Sequence, residues 1–167
     1  MITNFLLEHS ALVPVALVLV ALACVGVGLA VRRSGGRVRW LLAGVSLLPV
    51  VALTLVPTPG RVFSVCAVQF SVPTLGSVEL LANVALFVPP VYFTTLATAR
   101  PLLTLALATT LSAAIEALQA LLPTIGRACD TNDWAMNTAG SVIAVLLARA
   151  TLALTRRRSR DPRSDTV

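Results

Sequence analysis

Five apolar stretches, at about 11–31, 40–56, 80–99, 101–122 and 134–154, leave this 167-residue chain little polar sequence from which to build a water-soluble fold. Each is close to or within the roughly 17–25 residues that a helix needs to cross a hydrocarbon core. Away from their ends, Glu116 and Arg149 are the only charges inside them. Apolar residues make up 57% of the chain and charged residues only 12%, which leaves no room for a separate soluble catalytic module. The expected fold is all-α: a polytopic membrane helical bundle of about five transmembrane helices. Residues 1–10 read as an extracytoplasmic N-terminus, 11–154 as the transmembrane domain and 155–167 as a basic, disordered cytoplasmic tail.

Orientation follows from the arginines, because cytoplasmic loops accumulate positive charge. Every one of the 13 basic residues is Arg. Arg32, Arg33, Arg37 and Arg39 follow the first stretch, Arg100 lies between the third and fourth, and Arg156, Arg157, Arg158, Arg160 and Arg163 follow the fifth. With five spans all of these fall on one side, and Arg149 can snorkel toward it. The opposite side keeps Arg61 and Arg127. The N-terminus is therefore expected outside, the C-terminus in the cytoplasm, and the chain in the cell membrane as a multi-pass protein. A net charge of +6 then reflects topology and anionic lipid, and no nucleic-acid partner is expected.

Polar residues inside the spans are costly and need a partner or a function. Thr109, Ser112, Glu116, Gln119 and Pro123 recur at steps of three and four, so they share one helix face. Asp133, Asn137, Gly140 and Ala144 form a second such face. At 1.5 Å per residue, Glu116 lies about 9 Å inside the outer boundary. Asn83 and Asn137 lie about one turn in from the outer ends of their helices, and Glu79, Arg127, Asp130 and Asp133 sit at the boundary. Three segments thus carry polar groups to a similar depth on one side.

Structural roles compete with functional ones at every position. Glu116 can pair with Arg127 or with helix amides, and Gln119, Asn83 and Asn137 can be interhelical hydrogen-bond partners. Asp133 can cap the last helix with help from Asp130. Gly140 suits close helix packing. Arg127 suits a phosphate or carboxylate of a ligand, in competition with Asp130 or Asp133. Cys66 and Cys129 both fall in outer loops, where thiols oxidise, so a disulfide between them is expected provided their Cα atoms come within about 7 Å. The apolar-rich segment around Val62–Val72 is expected to lie on the membrane surface or to cap the bundle. With His9 the only histidine and no C-x-x-C, no metal site and no cofactor are expected.

The series Glu116, Gln119, Pro123, Arg127, Asp130, Asp133, Asn137 and Gly140 reads E-x-x-Q-x-x-x-P-x-x-x-R-x-x-D-x-x-D-x-x-x-N-x-x-G. Together with Asn83-Val84-Ala85-Leu86-Phe87-Val88-Pro89, it resembles the signature of the VanZ-like family of bacterial membrane proteins, over about residues 40–154. In that family a glycine commonly follows the proline; here Pro90 stands in its place. The resemblance implies a small polytopic envelope protein, of a family named after a factor associated with teicoplanin resistance. It strengthens the view that the polar residues form one shared site.

Three functions are compatible with such a site. It can bind an envelope lipid, a lipid-linked precursor or a lipophilic glycopeptide, with a link to glycopeptide resistance. It can belong to an enzyme modifying a lipid or lipid-linked envelope substrate at the outer leaflet, with Glu116, Asp130 and Asp133 as acid/base or cation-binding groups. Proton-coupled transport ranks last, because the polar groups crowd toward one leaflet and no repeat is present. The expected partners are membrane lipids or lipid-linked envelope precursors.

Overall fold

The computed structural model describes residues 12–57, 66–72, 74 and 77–158. The proposed N-terminal segment 1–10, most of the tail beyond Leu154, Arg61 and part of the expected surface segment lie outside these residues. Helix α1 spans Leu12–Ala30, and a 3-10 turn at Val31–Arg33 leads into α2, Gly36–Leu55. Helix α3 spans Val78–Thr98, α4 spans Pro101–Leu121, and a second 3-10 turn, Pro123–Ile125, precedes α5, Thr131–Arg158. All five helices are long and apolar enough to cross a membrane. Among the described residues, the one β feature is an isolated parallel bridge between Ala67 and Asp130.

Local chemistry sets the helix ends. Helix α3 stops where Ala99 turns left-handed at φ 53°, its N–H bonding to the Thr95 carbonyl at 2.9 Å. Pro101 then opens α4 at a position where its missing N–H costs nothing. At the other end of α4, Pro123 bars continuation, and Gly126 at φ 69° reverses the chain at little steric cost. Pro89 and Pro90 remove two donors from α3, yet the helix continues through both.

Helix α3 is the centre of the bundle. It packs most extensively on α5 and also against α1, α2 and α4. Phe87, Val88 and Tyr92 are fully enclosed, with the Tyr92 hydroxyl 3.0 Å from Thr151 Oγ1 of α5. Lipid tails are as apolar as leucine, so close packing and polar contacts, more than hydrophobicity, select helix neighbours in a bilayer. The α3–α5 seam follows that rule. Gly140, Ala144 and Ala148 recur at steps of four, all buried, and the backbone of α3 comes so near Gly140 that a Cβ there would overlap the Val84 carbonyl.

The perimeter is the reverse. Leu22 on α1, Leu41 and Leu48 on α2, and Leu102 and Leu107 on α4 all face outward. One end of the bundle holds the Cys66–Cys129 disulfide. The other holds Arg33, Arg37 and Arg100, with Arg39 donating from Nη1 to the Leu96 carbonyl at 3.0 Å.

Candidate functional site

The turn from Gly126 to Asp133 joins α4 to α5 and organises the disulfide end. Cys129 is bonded to Cys66, 63 positions earlier in sequence, with Cα atoms 4.6 Å apart. Beside that bond the two segments pair as a short parallel ladder. The Ala67 N–H donates to the Cys129 carbonyl at 2.9 Å, and the Thr131 N–H to the Ala67 carbonyl at 3.1 Å. Side chains extend the ladder. Thr131 Oγ1 accepts from the Gln69 N–H at 2.9 Å, and Asn132 Oδ1 from the Ser71 N–H at 3.1 Å.

Asp130 lies at the junction. Its Oδ1 accepts from the Asn132 N–H at 2.8 Å, capping α5, and its Oδ2 accepts from Gln69 Nε2 at 2.6 Å. Its own N–H donates to Glu116 Oε2 of α4 at 2.9 Å. A buried backbone donor needs an acceptor, and Glu116, itself 8% exposed, supplies it. The cap of α5 is thus Asp130. Asp133 instead reaches across to α3 and accepts a short hydrogen bond from Asn83 Nδ2.

The remaining polar residues make separate contacts between the same helices and α2. Asn137 donates from Nδ2 to Ser112 Oγ at 3.0 Å, joining α5 to α4. Gln119 donates from Nε2 to the Thr54 carbonyl of α2 at 3.0 Å. At this end three buried atoms, Gln119 Oε1, Asn137 Oδ1 and Trp134 Nε1, have no hydrogen-bond partner among the described residues.

Arg127 behaves differently. Its Nε donates to the Val56 carbonyl just past α2 at 3.4 Å, and it forms no ion pair among the described residues. The carboxylates that could have claimed it hold other donors: Glu116 and Asp133 one each, Asp130 two. Glu79, in the first turn of α3, is exposed and makes no hydrogen bond among the described residues.

Asn83, Glu116, Asp130 and Asp133 are therefore linked through the turn, Asn137 and Gln119 make separate contacts on the same helices, and Arg127 and Glu79 stand outside both sets. Gln69, Thr131, Asn132 and the Thr54 carbonyl are partners that residue spacing did not single out. The polar triplet Thr131-Asn132-Asp133 at the start of an apolar helix could have flagged two of them. A backbone carbonyl such as that of Thr54 leaves no mark in a sequence.

Five helices long and apolar enough to cross a membrane, with a disulfide and buried polar contacts at one end, define a multi-pass membrane protein. A family model described as VanZ/LLP1 matches residues 14–154, and the chain belongs to that family. The match takes in most of α1, which the resemblance read from residues 40–154 left out. No curated protein and no solved structure matches the chain.

Proposed function

We propose that the disulfide end faces the cell exterior and holds the phosphate-bearing head group of an envelope lipid or lipid-linked precursor, with Arg127 as the anion-binding residue. The observation that carries this reading is a guanidinium that no carboxylate claims among the described residues. In a region rich in carboxylates Arg127 pairs with none of them, while each neighbouring acid of the turn is held by amide donors. A guanidinium with free N–H groups matches phosphate oxygens in pairs. The arginines gathered at the opposite end support the orientation, and a disulfide suits an oxidising exterior.

The same acids narrow the ligand. Glu79, Glu116, Asp130 and Asp133 share this end of the bundle with one guanidinium, so a bare polyanion meets repulsion. A phosphate carried together with an amine or hydroxyl donors fits better, and Glu79 is free to receive such a donor. A lipophilic glycopeptide bearing amines meets part of this description, which is where the family's link to glycopeptide resistance would enter. The enzymatic reading is weaker, because Glu116 and Asp133 are tied into the contacts that hold α3, α4 and α5 together.

A photoreactive amino acid at the exposed Ala128, beside Arg127, tests this in native membranes. Capture of phospholipid or a lipid-linked precursor is expected, falling sharply when Arg127→Gln is added. Equal capture with and without Arg127 would remove the proposal.

A further inference from the structure

A second feature lies on the far side of α3 from the network. Helices α1 and α2 are consecutive in the chain and joined by a short turn, yet they scarcely touch, because both lean on α3. Between them is an apolar groove of about 520 Å³, within the roughly 300–1,000 Å³ typical of small-molecule sites. Leu12 and Val20 of α1, Pro49 of α2, and Val78, Ala85 and Pro89 of α3 line it. Ser46, the one polar side chain among its described lining residues, donates its hydroxyl to the Ala43 carbonyl of its own helix at 2.8 Å, so it has no need of another acceptor in the groove. Small residues make the space: Ala16, Ala82 and Ala85 stand where larger side chains would close it. The exposed Ala16, Ala82 and Pro49 leave the groove open along its side.

We infer that this groove holds one hydrocarbon chain of the lipid whose head group lies at Arg127, an inference that rests on the reading above for its polar anchor. Continuity along two helices argues for that occupant. On α3, the groove residues Val78 and Ala82 adjoin Glu79 and Asn83, which face the polar end. On α2, Pro49 lies seven residues from Val56, whose carbonyl Arg127 holds, a rise of about 10 Å. A chain lying in the groove thus brings its head group to the end of α2 and the start of α3. Packing alone gives little preference, since a tail trades bulk lipid for groove walls of similar polarity. Selectivity must come from the head group, and the groove fixes where the chain goes once that group is held.

Full-length protein in nanodiscs of phosphatidylethanolamine and phosphatidylglycerol separates the two ideas. One phosphatidylethanolamine probe carries a diazirine at mid-chain and another carries it on the head group. The mid-chain probe should label α1 and α3 around Ala16 and Ala85 several-fold more than the lipid-facing surface of α4 at Leu107. Ala85→Phe on the floor and Ala16→Phe on the wall, each checked for an unchanged melting temperature, should each abolish that excess. Head-group labelling of the turn around Arg127 should persist in both. Equal mid-chain labelling of the groove and of α4, with head-group labelling intact, would overturn the groove assignment. Groove labelling without head-group labelling of the turn would overturn the role of Arg127 and its anchoring of the chain. Labelling that survives both phenylalanine variants would place the chain elsewhere and also overturn the assignment.

Discussion

Helices α1 and α5 are both apolar enough to span a bilayer, yet they are held by different means. Helix α5 donates to or accepts from α3 and α4, and its first turn is tied to the segment 66–72 by hydrogen bonds beside a disulfide. Helix α1 makes no side-chain hydrogen bond to another element among the described residues. It rests on α3 through apolar contacts, with Gly28 pressed against the Tyr92 ring. In lipid, apolar surface does not choose its neighbour. A helix that must sit in one place needs close backbone approach or polar contacts, and α5 has both. Helix α1 has one close approach, at Gly28; its other end, from Leu12 to Val20, has neither, and the groove lies there.

The largest effect should come from the covalent tie on the α5 side. Replacing Cys66 and Cys129 with Ser frees a long loop, and thermal unfolding in detergent should show a loss of roughly 2–4 kcal/mol. An unchanged melting temperature would mean that the ladder around Ala67 and Asp130 holds this end unaided. The glycines sharpen the contrast next. Gly140→Val meets the Val84 backbone and should cost about 1–3 kcal/mol, whereas Gly26→Val on α1, with open space around it, should leave the melting temperature almost unmoved. Equal losses at the two positions would contradict the close approach of α3 to Gly140.

A smaller and more specific loss is expected at Glu116. Leucine there strands the Asp130 N–H, at about 1–2 kcal/mol. Glu116→Gln keeps an acceptor oxygen and should recover most of it, as read by amide hydrogen exchange at Asp130. Equal losses for Leu and Gln would show that charge, more than the hydrogen bond, is what matters at this position. Arg127→Gln should change stability least, within about 0.5 kcal/mol.

Spacing in the sequence carried much of this. Apolar run lengths gave five spans, and steps of three and four placed Ser112, Glu116 and Gln119 on the buried face of α4 and Asn137, Gly140 and Ala144 on that of α5. Two cysteines in segments on the same side anticipated the Cys66–Cys129 bond. Partner identity was harder to read. Glu116 had a guanidinium and several amides within plausible reach, and only folding decides that the Asp130 backbone takes it. Asp130 and Asp133 are three residues apart and chemically alike, but the turn aims one along α5 as a cap and the other across at Asn83. The groove left no periodic mark at all, because it depends on how α1 and α2 each pack on α3, which no local pattern encodes.

Titrating phosphatidylethanolamine into delipidated protein and counting retained lipids by native mass spectrometry tests the role of Arg127 most directly. Wild type should retain a lipid that Arg127→Gln loses, while both melt at the same temperature and Gly26→Val keeps the lipid. Retention by Arg127→Gln equal to wild type, or lipid loss that merely tracks a fallen melting temperature, would contradict it.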